Sequence, residues 1–151
     1  MNIGFSLENF LPFRLNLVAQ AVSEQLSTIY ADKFNLDIPQ WRILANLASR
    51  GDVTAQDIAR FTYSHKSTIS RAVQELEDRG LIVRNVSQTD KRSFTLTLTS
   101  DGRRLVRQLL PLVLEFEERL MKSITDADAR SLLKGLTALE TTLLSADGES
   151  K

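Results

Sequence analysis

Apolar residues return every three or four positions over most of the chain, and the breaks in that rhythm divide it into elements. Leu11, Leu15, Val18, Val22, Leu26 and Ile29 predict a long first helix, with Pro12 accommodated in its first turn if Asn9 caps it. From Pro39 to Ala48 a proline at a helix start precedes Trp41, Ile43, Leu44 and Leu47, which predicts a second helix. Thr54 and Asp57 have the spacing of a capping box, so a third helix should begin near Ala55, with Ile58 and Phe61 as its apolar stripe. A break at Thr62-Tyr63-Ser64 leads into a fourth, capped by Ser64 or His65. Its buried face is predicted to be Ile69, Ala72, Val73 and Leu76, and Gly80 closes it.

The period then shortens to two. Leu81 to Val86 is rich in β-branched residues, and Ser93 to Thr99 alternates Phe94, Leu96 and Leu98 with Thr95 and Thr97, so a hairpin is expected. Its tip, Ser87 to Arg92, is polar. After Gly102 the helical period resumes in two adjacent stripes: Leu105, Leu109, Leu112, Phe116 and Leu120 beside Val106, Leu110 and Val113. A helix apolar over so wide an arc has more than one face to bury, and Pro111 should bend it. Thr125 and Asp128 resemble another capping box, opening a last helix with Leu132, Leu133, Leu136, Leu139 and Leu143. The first helix and these two together carry more apolar surface than one chain easily covers, which points to a dimer.

The fourth helix carries the candidate chemistry. Opposite its apolar side lie Lys66, Ser67, Thr68, Ser70, Arg71 and Gln74, while Glu75, Glu77 and Asp78 all fall towards its C-terminus. Any surface helix needs a polar face, so solvation alone is the plain explanation. The placement of the acids favours another. A helix entering the major groove of DNA by its N-terminus keeps those carboxylates away from the phosphates and offers donors to the base edges. Arg71 suits two-pronged pairing with guanine, and Lys66 and the serines suit phosphates or bases. At the hairpin tip, Asp90 is placed to hold Arg92 or a neighbouring arginine, so that Arg92, beside Lys91, projects a cation into a narrow minor groove. An isolated charged turn would mean little; directly after a helix-turn-helix it reads as a wing.

The stretches KSTISRAV, LEDRGLI, DKR and LTSDG, with the weaker segments LENFLPFRLNLVAQAVS and LDIPQWRILANL, resemble the MarR family of winged-helix transcription regulators over nearly the whole chain. The resemblance implies a mainly α fold with a small β wing: a winged helix-turn-helix lobe over residues 37–102 and a helical dimerisation lobe built from the N- and C-terminal helices, 1–36 and 103–147. Residues 148–151 are expected to form a disordered tail. It further implies that Ser67, Ser70 and Arg71 read the major groove, Lys66 contacts the backbone and Arg92 enters the minor groove. The expected partners are double-stranded DNA with a palindromic operator and a second copy of the chain. His65 departs from the pattern, because this branch of the family often has an acid there. In the family, aromatic acids or other lipophilic compounds bind between the lobes. Arg14, Tyr30, Trp41 and Arg42 are the candidates here for a cation and aromatic walls around a small carboxylate effector, with Trp41 as a core anchor and solvated arginines as the ordinary alternative. The expected mechanism is repression by occupancy, relieved by the effector; activation by displacing another protein is equally compatible.

Composition narrows the alternatives. The 151 residues, 42% of them hydrophobic, support one domain or two small lobes with a core. With no cysteine there is no disulfide and no thiol switch, and a single histidine argues against a dedicated transition-metal site, so no cofactor is expected. No leader or membrane-length apolar run is read at the N-terminus or elsewhere, and the expected location is the cytoplasm. Nineteen basic and nineteen acidic residues cancel, but from Arg60 to Arg92 there are seven Lys/Arg against four Asp/Glu. Cations thus gather where the motif puts DNA. Catalysis is rejected: there is no phosphate-cradling glycine loop, and Ser64 beside His65 does not make a catalytic pair. The surviving alternative is a winged-helix protein-interaction module that does not bind DNA specifically.

Overall fold

A computed structural model describes residues 4–86 and 94–144. Among these, a 3-10 turn (Leu7–Asn9) leads into α1 (Leu11–Phe34), then α2 (Ile38–Arg50), β1 (Val53–Thr54), α3 (Ala55–Phe61), α4 (Lys66–Asp78), β2 (Ile82–Val86), β3 (Phe94–Leu98), α5 (Ser100–Lys122) and α6 (Asp126–Leu144). The chain divides into two compact units, Met1–Val113 and Leu114–Lys151, and the boundary falls inside α5.

Pro12 lies in the first turn of α1, as expected, but Asn9 does not cap it: the N-cap is Phe10, and the Asn9 amide donates to Ser6 Oγ instead. In α2 Asp37 and Gln40 form a capping box that the spacing D-x-x-Q encodes, with Pro39 in the first turn. In α3 the box of Thr54 and Asp57 is complete: Asp57 N–H donates to Thr54 Oγ1 at 3.0 Å and Thr54 N–H to Asp57 Oδ2 at 3.4 Å. Gly80, at φ 68°, ends α4 in a Schellman arrangement, in which Leu81 N–H reaches Leu76 O at 3.0 Å and Gly80 N–H reaches Glu77 O at 2.8 Å. Thr125 Oγ1 accepts from Asp128 N–H at 3.1 Å and caps α6.

The sheet is antiparallel in the order β1-β3-β2, with Val53 opposite Leu96 and Ile82 opposite Leu98. β1 is an addition to the sequence expectation, since two residues carry no detectable alternation. The core lies wholly in the first unit: Ile43, Leu44, Ile58, Ile69, Leu76, Ile82, Leu96 and Leu109 are among its fully buried members, with Tyr30 of α1 beside them. Phe61 departs from its expected place. It is the last residue of a seven-residue helix, 38% exposed, and the Arg50 guanidinium covers its ring at 4.2 Å.

Contacts of Arg79, Thr99 and Gly102 fix the path from α4 through the hairpin to α5. Arg79 donates to Asn35 O at 2.6 Å and Phe34 O at 2.8 Å, tying the end of α4 to the last carbonyls of α1. Thr99 Oγ1 accepts from Gly102 N–H at 3.0 Å while its hydroxyl donates to Gly80 O at 2.7 Å. Gly102 is buried so closely that a Cβ there would lie 2.0 Å from Leu81 O.

Burial is distributed unevenly. No described residue of the second unit, and none of α6, is buried. Leu11, Leu15, Leu17 and Val18 in the first unit, and Leu114, Leu132, Leu133 and Leu143 in the second, are exposed large apolar side chains. In α5 Val106, Leu109 and Val113 are buried while Leu110 is not, and Pro111 lies inside the helix.

Candidate nucleic-acid interface

The polar face of α4 is fixed by what the other face buries. Ile69, Ala72, Val73 and Leu76 are all within the core, so the helical period turns Lys66, Ser67, Thr68, Ser70, Arg71 and Gln74 outward, and each of the six is exposed. The preceding turn sets where the helix begins. Tyr63 adopts a left-handed conformation (φ 49°), Thr62 Oγ1 donates to Ile58 O at 2.7 Å, and Ser64 N–H reaches back to Ala59 O at 3.0 Å. Neither Ser64 nor His65 caps α4 through its side chain. His65 occupies the N-cap position with no side-chain bond to the helix, and the Ser64 hydroxyl is engaged with Thr62. The first turn of α4 therefore presents amide N–H groups without a side-chain cap, no acid, and Lys66 beside them.

The C-terminal acids, expected simply to lie away from DNA, are each engaged. Glu75 receives Arg71 Nε at 3.0 Å and Gln40 Nε2 at 2.7 Å; Glu77 pairs with Arg84 at 2.6 Å; Asp78 accepts from Gln74 at 2.9 Å. Arg84, on β2, also stands over the Phe94 ring at 4.8 Å and meets Gln74 at 3.4 Å. Gln40 and Arg84 are thus structural members of the face that the sequence reading did not single out. The capping-box spacing marks Gln40 as a cap, but nothing local in the sequence links it to Glu75. Asp90, Lys91 and Arg92, the expected wing tip, lie outside the described residues.

Of the candidate effector residues, three come together. Tyr30 is fully buried and stacks on Trp41 with ring centroids 5.7 Å apart and 27° between planes. Arg42 is close enough to act on the Tyr30 hydroxyl electrostatically. Arg14 stands apart: it lies sixteen positions before Tyr30 on the same helix, or about 24 Å at the α-helical rise. The Tyr30 hydroxyl has no hydrogen-bond partner among the described residues. Burial pushes its pKa up to about 12, with Arg42 opposing the rise and Asp37 adding to it. The unfolded tyrosine ionises near pH 10 and the folded one only near 12, so this stabilising contribution is intact below pH 10 and lost as pH rises through 12. Unfolding free energy measured across that window should fall more steeply in the native protein than in Tyr30→Phe.

Among the described residues no group of three or more His, Cys, Asp or Glu side chains is placed to hold a metal ion, and no helix is long and apolar enough to cross a membrane. Comparison with known proteins agrees with the geometry. A family model described as MarR family matches residues 34–93. The HTH-type transcriptional regulator FarR of Neisseria gonorrhoeae is 31% identical over 106 residues, covering 69% of this chain and 70% of FarR. The HTH-type transcriptional repressor IacR of Pseudomonas putida is 27% identical over 100 residues, covering 66% of this chain and 60% of IacR. Among solved structures, a MarR/EmrR family transcriptional regulator from Acinetobacter sp. ADP1 superimposes with a TM-score of 0.81 at 26% identity, covering 93% of this chain and 99% of that one. Three-stranded wing sheet, outward-facing α4 and these matches lead to one assignment: the chain belongs to the MarR family of DNA-binding, winged helix-turn-helix transcription regulators.

Proposed function

We propose that the protein is a dimeric repressor that occupies an inverted-repeat operator and is released from it by a small lipophilic or aromatic-acid effector. The observation that carries the DNA-reading part is the exposed, acid-free N-terminal half of α4, with Lys66, Ser67, Thr68, Ser70 and Arg71 outward over a buried apolar face. In this reading Ser67, Ser70 and Arg71 meet base edges, Lys66 and Thr68 meet phosphates, and Gln74 lies at the edge of the contact. Lys91 and Arg92, oriented by Asp90, reach the neighbouring minor groove. The uncovered leucines of α1 and α6 support the dimer, because apolar side chains exposed in such numbers are ordinarily covered by a partner.

The effector reading rests on the corner where α1 meets α2. A buried Tyr30 hydroxyl without a partner among the described residues, a stacked Trp41 and the Arg42 guanidinium are suited to an aromatic acid, with Arg14 as a more distant contributor. The effector shifts the dimer only through its preference for one spacing of the two α4 helices over the other. The relative named as a repressor, IacR, supports the sign of regulation. Selection of bound duplexes from a random-sequence library tests the function. The expected product is an inverted repeat with half-sites about one helical turn apart; a folded protein that enriches no sequence would leave the protein-interaction module as the better account.

A further inference from the structure

Arg71 is not free in solution to aim as it pleases. Its Nε donates to Glu75 Oε1 at 3.0 Å, one helical turn along, in a pair whose side chains are 84% and 37% exposed. An isolated surface pair of this kind contributes little, because ordering two long side chains offsets the attraction. This pair is not isolated. The other carboxylate oxygen, Oε2, accepts from Gln40 Nε2 at 2.7 Å, and Gln40 is the one buried polar residue of the described core, at 6% exposure. Gln40 is itself fixed twice more: its backbone N–H donates to Asp37 Oδ1 at 2.8 Å, and its Oε1 accepts from the Asp37 backbone N–H at 3.1 Å. The plane of the Glu75 carboxylate is therefore set by folding, before any ligand arrives.

We propose that Glu75, anchored by the buried Gln40, is the positioning residue that aims the Arg71 guanidinium at the base edges. This rests on the reading that α4 reads DNA and deepens it. Holding an arginine through Nε leaves both terminal nitrogens unpartnered among the described residues, and those are the two donors that match guanine O6 and N7. Gln40 lies 35 positions from Glu75 in the chain, so α2 contributes to base reading without touching DNA.

The relay has a competing, purely mechanical role, since the same bond fastens α2 to α4. Base-by-base preference separates the two. Selection from one random duplex library is run with the native protein and with Gln40→Met, Glu75→Gln and Arg71→Ala, alongside thermal unfolding of each. Arg71→Ala identifies the position that Arg71 reads. Gln40→Met removes the anchor at nearly constant shape. Glu75→Gln leaves one carbonyl oxygen to serve either Gln40 or Arg71, not both, and sits outside the core should the methionine variant fold poorly. Both are expected to weaken base preference at the Arg71 position by about threefold or more, with the other positions of the half-site unchanged. Adding Gln40→Met to Arg71→Ala changes the profile no further. An unaltered preference in both relay variants, or an equal loss at every position, overturns the positioning role in favour of simple fastening. If Arg71→Ala itself keeps the native profile, the failure lies earlier, in the assignment of Arg71 to a base, and the relay falls with it.

Discussion

Gly102→Ala is expected to destabilise the protein by about 3 kcal/mol, at the upper end of what a single added methyl group costs in a packed site. The added Cβ would stand 2.0 Å from Leu81 O and 3.0 Å from the same carbonyl carbon, and backbone cannot swing aside as a side chain does. Leu81 O is further fixed by the Thr99 N–H, which donates to it at 3.1 Å. Alanine is favoured over glycine in a helix by about 1 kcal/mol, so the clash outweighs the propensity. At roughly 2–4 °C per kcal/mol for a chain of this size, the melting temperature should fall by about 6–12 °C. Calorimetry of the two proteins checks this, and an unchanged or raised transition would show that α5 is not packed against the entry to β2 as described. The physical content of the motif LTSDG is visible here. Thr99 caps the helix, and the glycine three positions on is the residue that lets the helix start lie against the strand.

The second large effect concerns assembly. Leu132→Asp together with Leu136→Asp places two charges one turn apart on α6, at side chains 47% and 38% exposed in the single chain. No described residue of α6 is buried, so the substitutions take nothing from the core of the first unit. The melting of that core should be retained. If α6 lies in the dimer interface, sedimentation should change from dimer to monomer, since two uncompensated charges are costly in an apolar contact. Affinity for a duplex with two half-sites should fall by about 10²- to 10⁴-fold as the linked half-sites become independent, while affinity for a single half-site stays the same. A variant that remains dimeric would remove α6 from the proposed interface.

How far the sequence discloses this molecule depends on how local each feature is. The helices were legible because their apolar residues repeat every three to four positions; in α4, Ile69, Ala72, Val73 and Leu76 lie in the core as that spacing requires. Caps at Thr54, Thr125 and Gly80 were legible because each needs only a few consecutive residues. Local signals also misled. Asn9 is a good capping residue by type, but the chain enters α1 through Phe10, and Ser64 spends its hydroxyl on the turn instead of on α4. Phe61 has the spacing of a buried residue, yet a helix of two turns ends before its ring reaches the core, and Arg50 from α2 covers it. β1 was invisible because its pairing with β3 joins residues some forty positions apart through only two partners. The polar face of α4 was legible from the spacing of the apolar residues opposite it. Its support by Gln40 and Arg84 was not, because those contacts exist only once α2 and β2 have packed.

The central claim is that the outward face of α4 reads base sequence, and the most direct test is a pair of affinities. Binding of the native protein and of Arg71→Ala is measured, at one moderate salt concentration, to the duplex recovered by selection and to a shuffled duplex of equal length and composition. The account predicts that the native protein prefers the selected duplex by about 10³-fold or more. Arg71→Ala should lose about 10- to 100-fold on the selected duplex and little on the shuffled one. Equal affinity of the native protein for the two duplexes, or equal losses on both with Arg71→Ala, would contradict it.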